Sequence, residues 1–253
     1  MSNPVLDPQK FESNNVYAEA GVMGSVDTMS IDGTLQITGV LGLILAACAY
    51  LCWSRFSLGY TDIGVMLTGA GAIAGFILAL VICFMSNSAS VRYIKYLAPM
   101  YAACEGLFLG GIFASFEASY PGIISQAIAG TFAALFTMLI LYRFNIITCT
   151  QKFRSVIIIS TISIAAVYLI DIIGHFFGYA VPVINSSSPI GILVSAVIVV
   201  IASLNLIIDF DFIERGAGNL PKDFEWYGAF GLMVTVVWMY VEILKLLSKL
   251  QRR

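Results

Sequence analysis

Asp209 and Glu242 are the residues of this chain best placed to do chemistry. Both are carboxylic acids inside long apolar runs, Asp209 near the end of the sixth run and Glu242 deep in the seventh. An ionisable side chain at membrane depth costs roughly 2.5–3.5 kcal/mol on insertion scales, so it faces a partner, a cavity or a permeation route. Carboxylate oxygens are hard ligands suited to Ca²⁺. Two buried carboxyls that approach each other cannot easily both ionise, and such a pair shares a proton. Protonated, the pair closes by a hydrogen bond; deprotonated, it repels itself and binds a cation. This is the chemistry of an ion or proton pathway with a pH sensor, not of a soluble active site. Glu242 counts nearer to midmembrane than Asp209, so contact requires helix tilt or a deep entry of the last segment.

The other acids divide by their neighbours. Asp211 follows Asp209 by two positions, about 200° around a helix, so the two cannot face one partner. Arg215 stands at i+4 from Asp211 and makes a surface ion pair natural there. Asp209 has Asn205 at i−4 and no cation, which turns it inward or leaves it satisfied at the headgroup level. Glu105 lies mid-run beside Gly106 without a basic residue within a turn, either as a further pathway acid or as a satisfied buried carboxyl. Glu242 has Lys245 at i+3, which offers it a pairing as the lysine snorkels outward. Asp171 has His175, the sole histidine, at i+4, and a local helix pair competes there with a proton relay.

Several chemistries find no support in the residue pattern. HExxH and GxSxG motifs are missing, and one histidine cannot build an imidazole metal site. Cys48 and Cys52 share a helix face, but no further ligand stands near them in sequence to complete a zinc site, and the five cysteines read as small buried residues. A retinal Schiff base would want a lysine at the middle of its helix with an acid one turn earlier. Lys245 lies toward the end of its run, and position 241 is Val. Asp171 and Asp209 lack the surrounding pattern of an aspartyl protease dyad. The expectation is therefore a protein that is not an enzyme and holds no cofactor, with carboxylates that would suit calcium as a transported ion. The formal net charge of −2 gives no basic excess for nucleic acid.

The elements that must hold these acids are membrane spans. Apolar residues make up 59% of the 253 and charged ones 11%, against roughly 45–50% and about 25% in soluble domains. Mean hydropathy is +0.92. A span needs about 20 mostly apolar residues, and such segments fall near 35–53, 62–85, 94–115, 121–143, 155–177, 190–212 and 227–248. The sequence thus predicts an all-α bundle of seven transmembrane helices over residues 35–250. A polar, loosely ordered tail over 1–34 precedes it, and a short basic end over 251–253 follows. Only Glu117 and Pro121 mark the break between the third and fourth spans. Lys and Arg gather in the N-terminal tail and in the loops on its side, and Arg55 alone lies in the opposite loops. The positive-inside rule then places the N-terminus in the cytoplasm. Lys245, Lys249, Arg252 and Arg253 run against that trend, and a re-entrant last segment would restore it. Gly71 with Gly75, and Gly106 with Gly110, predict close helix packing within one bundle.

The run from Ser203 to Glu214, the segment Glu225-Trp226-Tyr227-Gly228-Ala229-Phe230-Gly231, and Tyr240-Val241-Glu242-Ile243-Leu244 resemble the bacterial Bax inhibitor-1-like branch of the transmembrane Bax inhibitor motif family. Glu105-Gly106-Leu107 adds to the resemblance, which extends over roughly residues 30–250 and is most specific in the C-terminal third. It implies a seven-helix bundle with the last helix at its centre, in a bacterial inner membrane. It further implies a pH-sensitive calcium leak governed by one acid on helix six and one on helix seven. By position, Asp209 matches the first and Glu242 the second, as a transient calcium site. The calcium-leak members carry Asp where this chain carries Glu242, and their loop equivalent to Glu214–Glu225 is shorter. Other bacterial members imply a different role, in which the protein binds and restrains another membrane protein such as a membrane-anchored protease.

Overall fold

The computed structural model describes residues 27–85, 91–178 and 186–252. Seven helices account for nearly all of them: α1 (Ile31–Ser57), α2 (Thr61–Phe84), α3 (Ile94–Ser119), α4 (Ile123–Arg143), α5 (Gln151–Phe176), α6 (Pro189–Gly216) and α7 (Phe224–Gln251). All seven are long and apolar enough to cross a bilayer, and the chain is an integral multi-pass membrane protein. Their large apolar side chains point outward in many places, Leu43, Met66, Phe76 and Ile159 among them. A lipid-facing surface requires this, since hydrocarbon offers no penalty for such groups.

α1, α5 and α7 begin up to a turn before their apolar segments, whereas α2 and α4 keep close to theirs; Ser30 and Thr150 cap the extended starts of α1 and α5. Ser30 starts α1, its hydroxyl accepting from the Gly33 amide at 3.0 Å. The first part of the expected tail, residues 1–26, lies outside the described residues, while 31–34 already belong to α1. Between α3 and α4 the chain turns on Gly122, whose φ of 83° is left-handed. Glu117 fixes that turn by accepting from the Gly122 amide at 2.7 Å.

Helix packing follows the small residues. A methyl group added at Gly106 would fall 2.3 Å from the Leu45 carbonyl oxygen of α1, and one at Gly71 would fall 2.5 Å from the Cys104 carbonyl of α3. α1, α2 and α3 therefore pack backbone to backbone, as the glycine spacing predicts. α7 lies at the centre, against α1, α3, α4 and α6. It runs unbroken from Phe224 to Gln251, so the re-entrant alternative for the last segment is not formed.

One end of the bundle is tied by the segment before α1. Met29 is buried and exchanges backbone hydrogen bonds with Gly218 and Leu220 of the α6–α7 loop at 2.9 and 2.8 Å. Glu225, at the first turn of α7, accepts from the Ser30 amide at 2.9 Å and from its hydroxyl at 2.8 Å. A carboxylate thereby sits at the positive end of both helices. Lys222 reaches Asp27 at 3.0 Å, and that partner raises the lysine's pKa. The start of α1 and the α6–α7 loop thus share one face of the bundle, and the end of α7 lies on the other.

Candidate functional site

The C-terminal half of α6 presents its two aspartates to different neighbours, as a helical phase difference of about 200° requires. Asp211 is 4% exposed. Its Oδ2 accepts from Arg154 of α5 at 2.6 Å and its Oδ1 from Arg215 at 2.8 Å. The expected pair with Arg215 is present, but it is not a surface pair: the carboxylate is buried and held by two guanidinium groups. Arg154 was not legible as a partner, because it comes from the start of another helix 57 residues away. Beside this triad a polar cavity of about 440 Å³ opens, lined by Asp211, Arg215, Glu214 and Cys149. Tyr142 donates to Glu214 across its rim. Burial raises the pKa of the Cys149 thiol.

Asp209 turns toward α7. Gly231 gives it room: a methyl group there would lie 3.9 Å from Asp209 Oδ1. Thr235, one turn further along α7, interacts with the same carboxyl. Asp209 Oδ2 is buried and has no hydrogen-bond partner among the described residues. Asn205, the i−4 neighbour, is engaged elsewhere, donating to Thr161 of α5 and to the Ile201 carbonyl, both at 2.9 Å. An unsatisfied buried carboxyl oxygen is uncommon and calls for a ligand, a proton or a function.

Glu242 lives in the opposite condition. It is 1% exposed, and both oxygens are occupied: Tyr168 of α5 donates to Oε2 at 2.7 Å and Lys245 to Oε1 at 3.1 Å. The Lys245 ammonium also lies 4.3 Å from the Tyr168 ring centroid, a cation–π contact that closes the group on itself. One turn on, buried Lys249 donates to Ser195 at 2.7 Å and to the Gly191 carbonyl at 3.3 Å. Arg252 donates to the Tyr120 hydroxyl at 2.7 Å. These three cations, which run against the positive-inside trend, are thus directed onto the protein.

No hydrogen bond or ion pair joins Asp209 to Glu242 among the described residues. At about 1.5 Å per residue, the α7 positions beside Asp209 lie roughly 10–16 Å from Glu242 along the helix. The two acids occupy the same interface region at two levels. Glu105 stands apart from both, on α3: it interacts with Tyr101, one turn before it, and its Oε2 would meet a methyl at Gly75 of α2 at 3.6 Å. His175 Nδ1 lies 3.8 Å from Asp171 Oδ2 near the far end of α5. No cluster of three metal-ligating side chains occurs among the described residues.

Seven spanning helices with α7 at their centre, and acids along its buried face, define a polytopic membrane protein whose polar chemistry is internal. The family profile described as Bax inhibitor 1 like matches residues 3–252, and the chain belongs to that family. No curated protein and no solved structure matches it.

Proposed function

We propose that this protein is a pH-sensitive calcium leak of a bacterial inner membrane, with its N-terminus in the cytoplasm and Asp209 and Glu242 as the acids of its pathway. One observation carries the reading: Asp209 keeps a buried carboxyl oxygen without a partner, beside a glycine on the central helix. Ionised, that oxygen is a hard ligand for a passing Ca²⁺; protonated, it offers none. The Asp211–Arg154–Arg215 triad, beside the polar cavity, ties α5 to α6 and stands outside the pathway. Glu242 forms a second station, released when Lys245 or Tyr168 moves. The two acids act in series and do not share one proton while the bundle is in this arrangement. No covalent chemistry and no resident cofactor belong to this mechanism, and the basic loops on the side of the N-terminus support the orientation.

The test is Ca²⁺ efflux from proteoliposomes of the purified protein between about pH 5 and 8, the range in which a perturbed carboxyl becomes visible. Flux is expected to rise with pH and to lose most of that dependence in Asp209→Asn, while Asp211→Asn keeps the shape of the profile. An Asp209→Asn profile that follows the wild type would overturn the assignment.

The saturated state of Glu242 favours a second reading, a non-transporting protein that binds and restrains another membrane protein, for which that acid would be structural. Pure liposomes separate the two, since a regulator gives no flux at any pH.

A further inference from the structure

A cavity of about 660 Å³ lies between α1, α3, α4 and α7, away from both aspartates of α6. Its wall is apolar, with Leu45, Leu135 and Trp53 among the lining residues, and it is of the size that holds a small ligand. Ser125 and Thr131 also line it, but their hydroxyls donate to the Gly122 and Ala127 carbonyls; two further polar groups, Tyr240 and Glu117, break the wall with atoms left unpaired. Tyr240, 6% exposed, has a hydroxyl with no hydrogen-bond partner among the described residues, although its ring is fixed edge-on to Phe113 at 5.6 Å between centroids. Glu117 uses Oε1 to accept from the Gly122 amide, and its Oε2 is buried without a partner among the described residues. The two are near enough to interact electrostatically. Among the described residues, no basic side chain lines the cavity.

A half-buried carboxylate with one oxygen sealed off and unsatisfied in an apolar wall calls for a cation or a hydrogen-bond donor. We propose that this cavity binds a membrane amphiphile with an ammonium headgroup. The ammonium donates to Glu117 Oε2 and to the Tyr240 hydroxyl near the α3–α4 turn, and the hydrocarbon chain runs inward along Leu45 and Leu135. An anionic headgroup finds no positive partner there and meets Glu117. The flanking side chains Tyr50 and Phe132 are exposed on the bundle's surface, so the cavity opens sideways to lipid rather than to water.

Trp53 in the wall supplies the readout. In a Trp226→Phe/Trp238→Phe background, a long-chain alkylamine brominated on its chain is titrated into the full-length protein in detergent micelles. Saturable quenching of Trp53 is expected. The matching fatty alcohol should bind more weakly, and the matching fatty acid should give only the linear quenching of a micelle-dissolved probe. Glu117→Gln is expected to weaken the amine about tenfold and Tyr240→Phe several-fold, the effect of losing one hydrogen bond to a charged group. Ala46→Phe, at the cavity wall, should abolish saturation. If Glu117→Gln does not fold, Tyr240→Phe carries the test. Linear quenching by the amine, equal affinity for amine and acid, or unchanged affinity in the variants that fold would overturn the proposal.

Discussion

Asp209 and Asp211 are two residues apart on one helix and share almost nothing else. Asp211 is wedged between two guanidinium groups, one from its own helix and one from α5. Asp209 faces a glycine and a threonine on α7 and keeps an oxygen with no partner. The difference arises from helical phase. A step of two residues carries a side chain to the opposite side of the helix, so neighbouring acids are handed to different helices. One of them then does structural work, and the other is left at a cost that only a function repays.

The comparison predicts opposite responses to the same substitution. Asp211→Asn leaves Arg154 and Arg215 without a counter-charge and should destabilise the protein by about 2–3 kcal/mol. That is below the roughly 3–5 of a fully buried pair, because both arginines are partly exposed. Asp209→Asn removes a charge that no cation holds, and its cost should stay under about 1 kcal/mol or become a gain. Thermal unfolding in detergent compares the two directly. An equal loss of stability from both would mean that Asp209 has a partner after all and that the contrast is false.

Glu242 extends the comparison along α7. A proton shared with Asp209 would make Asp209→Asn/Glu242→Gln no worse than either single change, since coupled sites titrate as a unit. At a separation of roughly 10–16 Å the two should be independent. Their effects on Ca²⁺ flux should then add on a logarithmic scale to within about 0.3–0.5 kcal/mol. A double variant equal to one of the singles would show that the acids meet in the conducting state.

Much of this architecture was legible beforehand, and the failures share one cause. Seven spans followed from apolar runs, close packing of α1 to α3 from Gly71, Gly106 and Gly110, and the opposed directions of Asp209 and Asp211 from helical phase. The i+3 option for Glu242 was also visible, and Lys245 takes it. Partners brought by tertiary packing were not visible. Arg154 and Tyr168 belong to α5, where they stand with Thr161 at seven-residue spacing on one face; the sequence shows that polar stripe but not which acids of α6 and α7 it meets. Glu225 stood in the motif that carried the family resemblance, yet its role at the start of α1 depends on Ser30, 195 residues away. Tyr240 and Glu117 announced nothing, because an unsatisfied atom exists only once its surroundings are known.

The smallest expected effect comes from Cys149, which lines the polar cavity beside the Asp211 triad and reports on it without taking part in the proposed pathway. Burial holds its thiol pKa above the ordinary value of 9.0, with opposing contributions from Arg154, which lowers it, and Asp211, which raises it. The thiolate is the nucleophile. Its fraction, and with it the alkylation rate, should therefore climb about tenfold per pH unit from pH 7 to beyond 9 without levelling where a free thiol does. Asp211→Asn removes a smaller contribution that raises the pKa and leaves Arg154 opposed by burial alone, so alkylation near pH 8 should accelerate. Asp209→Asn, whose carboxyl faces the other side of α6, should leave the rate alone. The measurement is maleimide labelling in a background where Cys48, Cys52, Cys83 and Cys104 are replaced by alanine or serine, followed by mass spectrometry. A rate that responds equally to both substitutions would mean that the two faces of α6 are electrostatically one site, and the separation of structural from functional acid would fail.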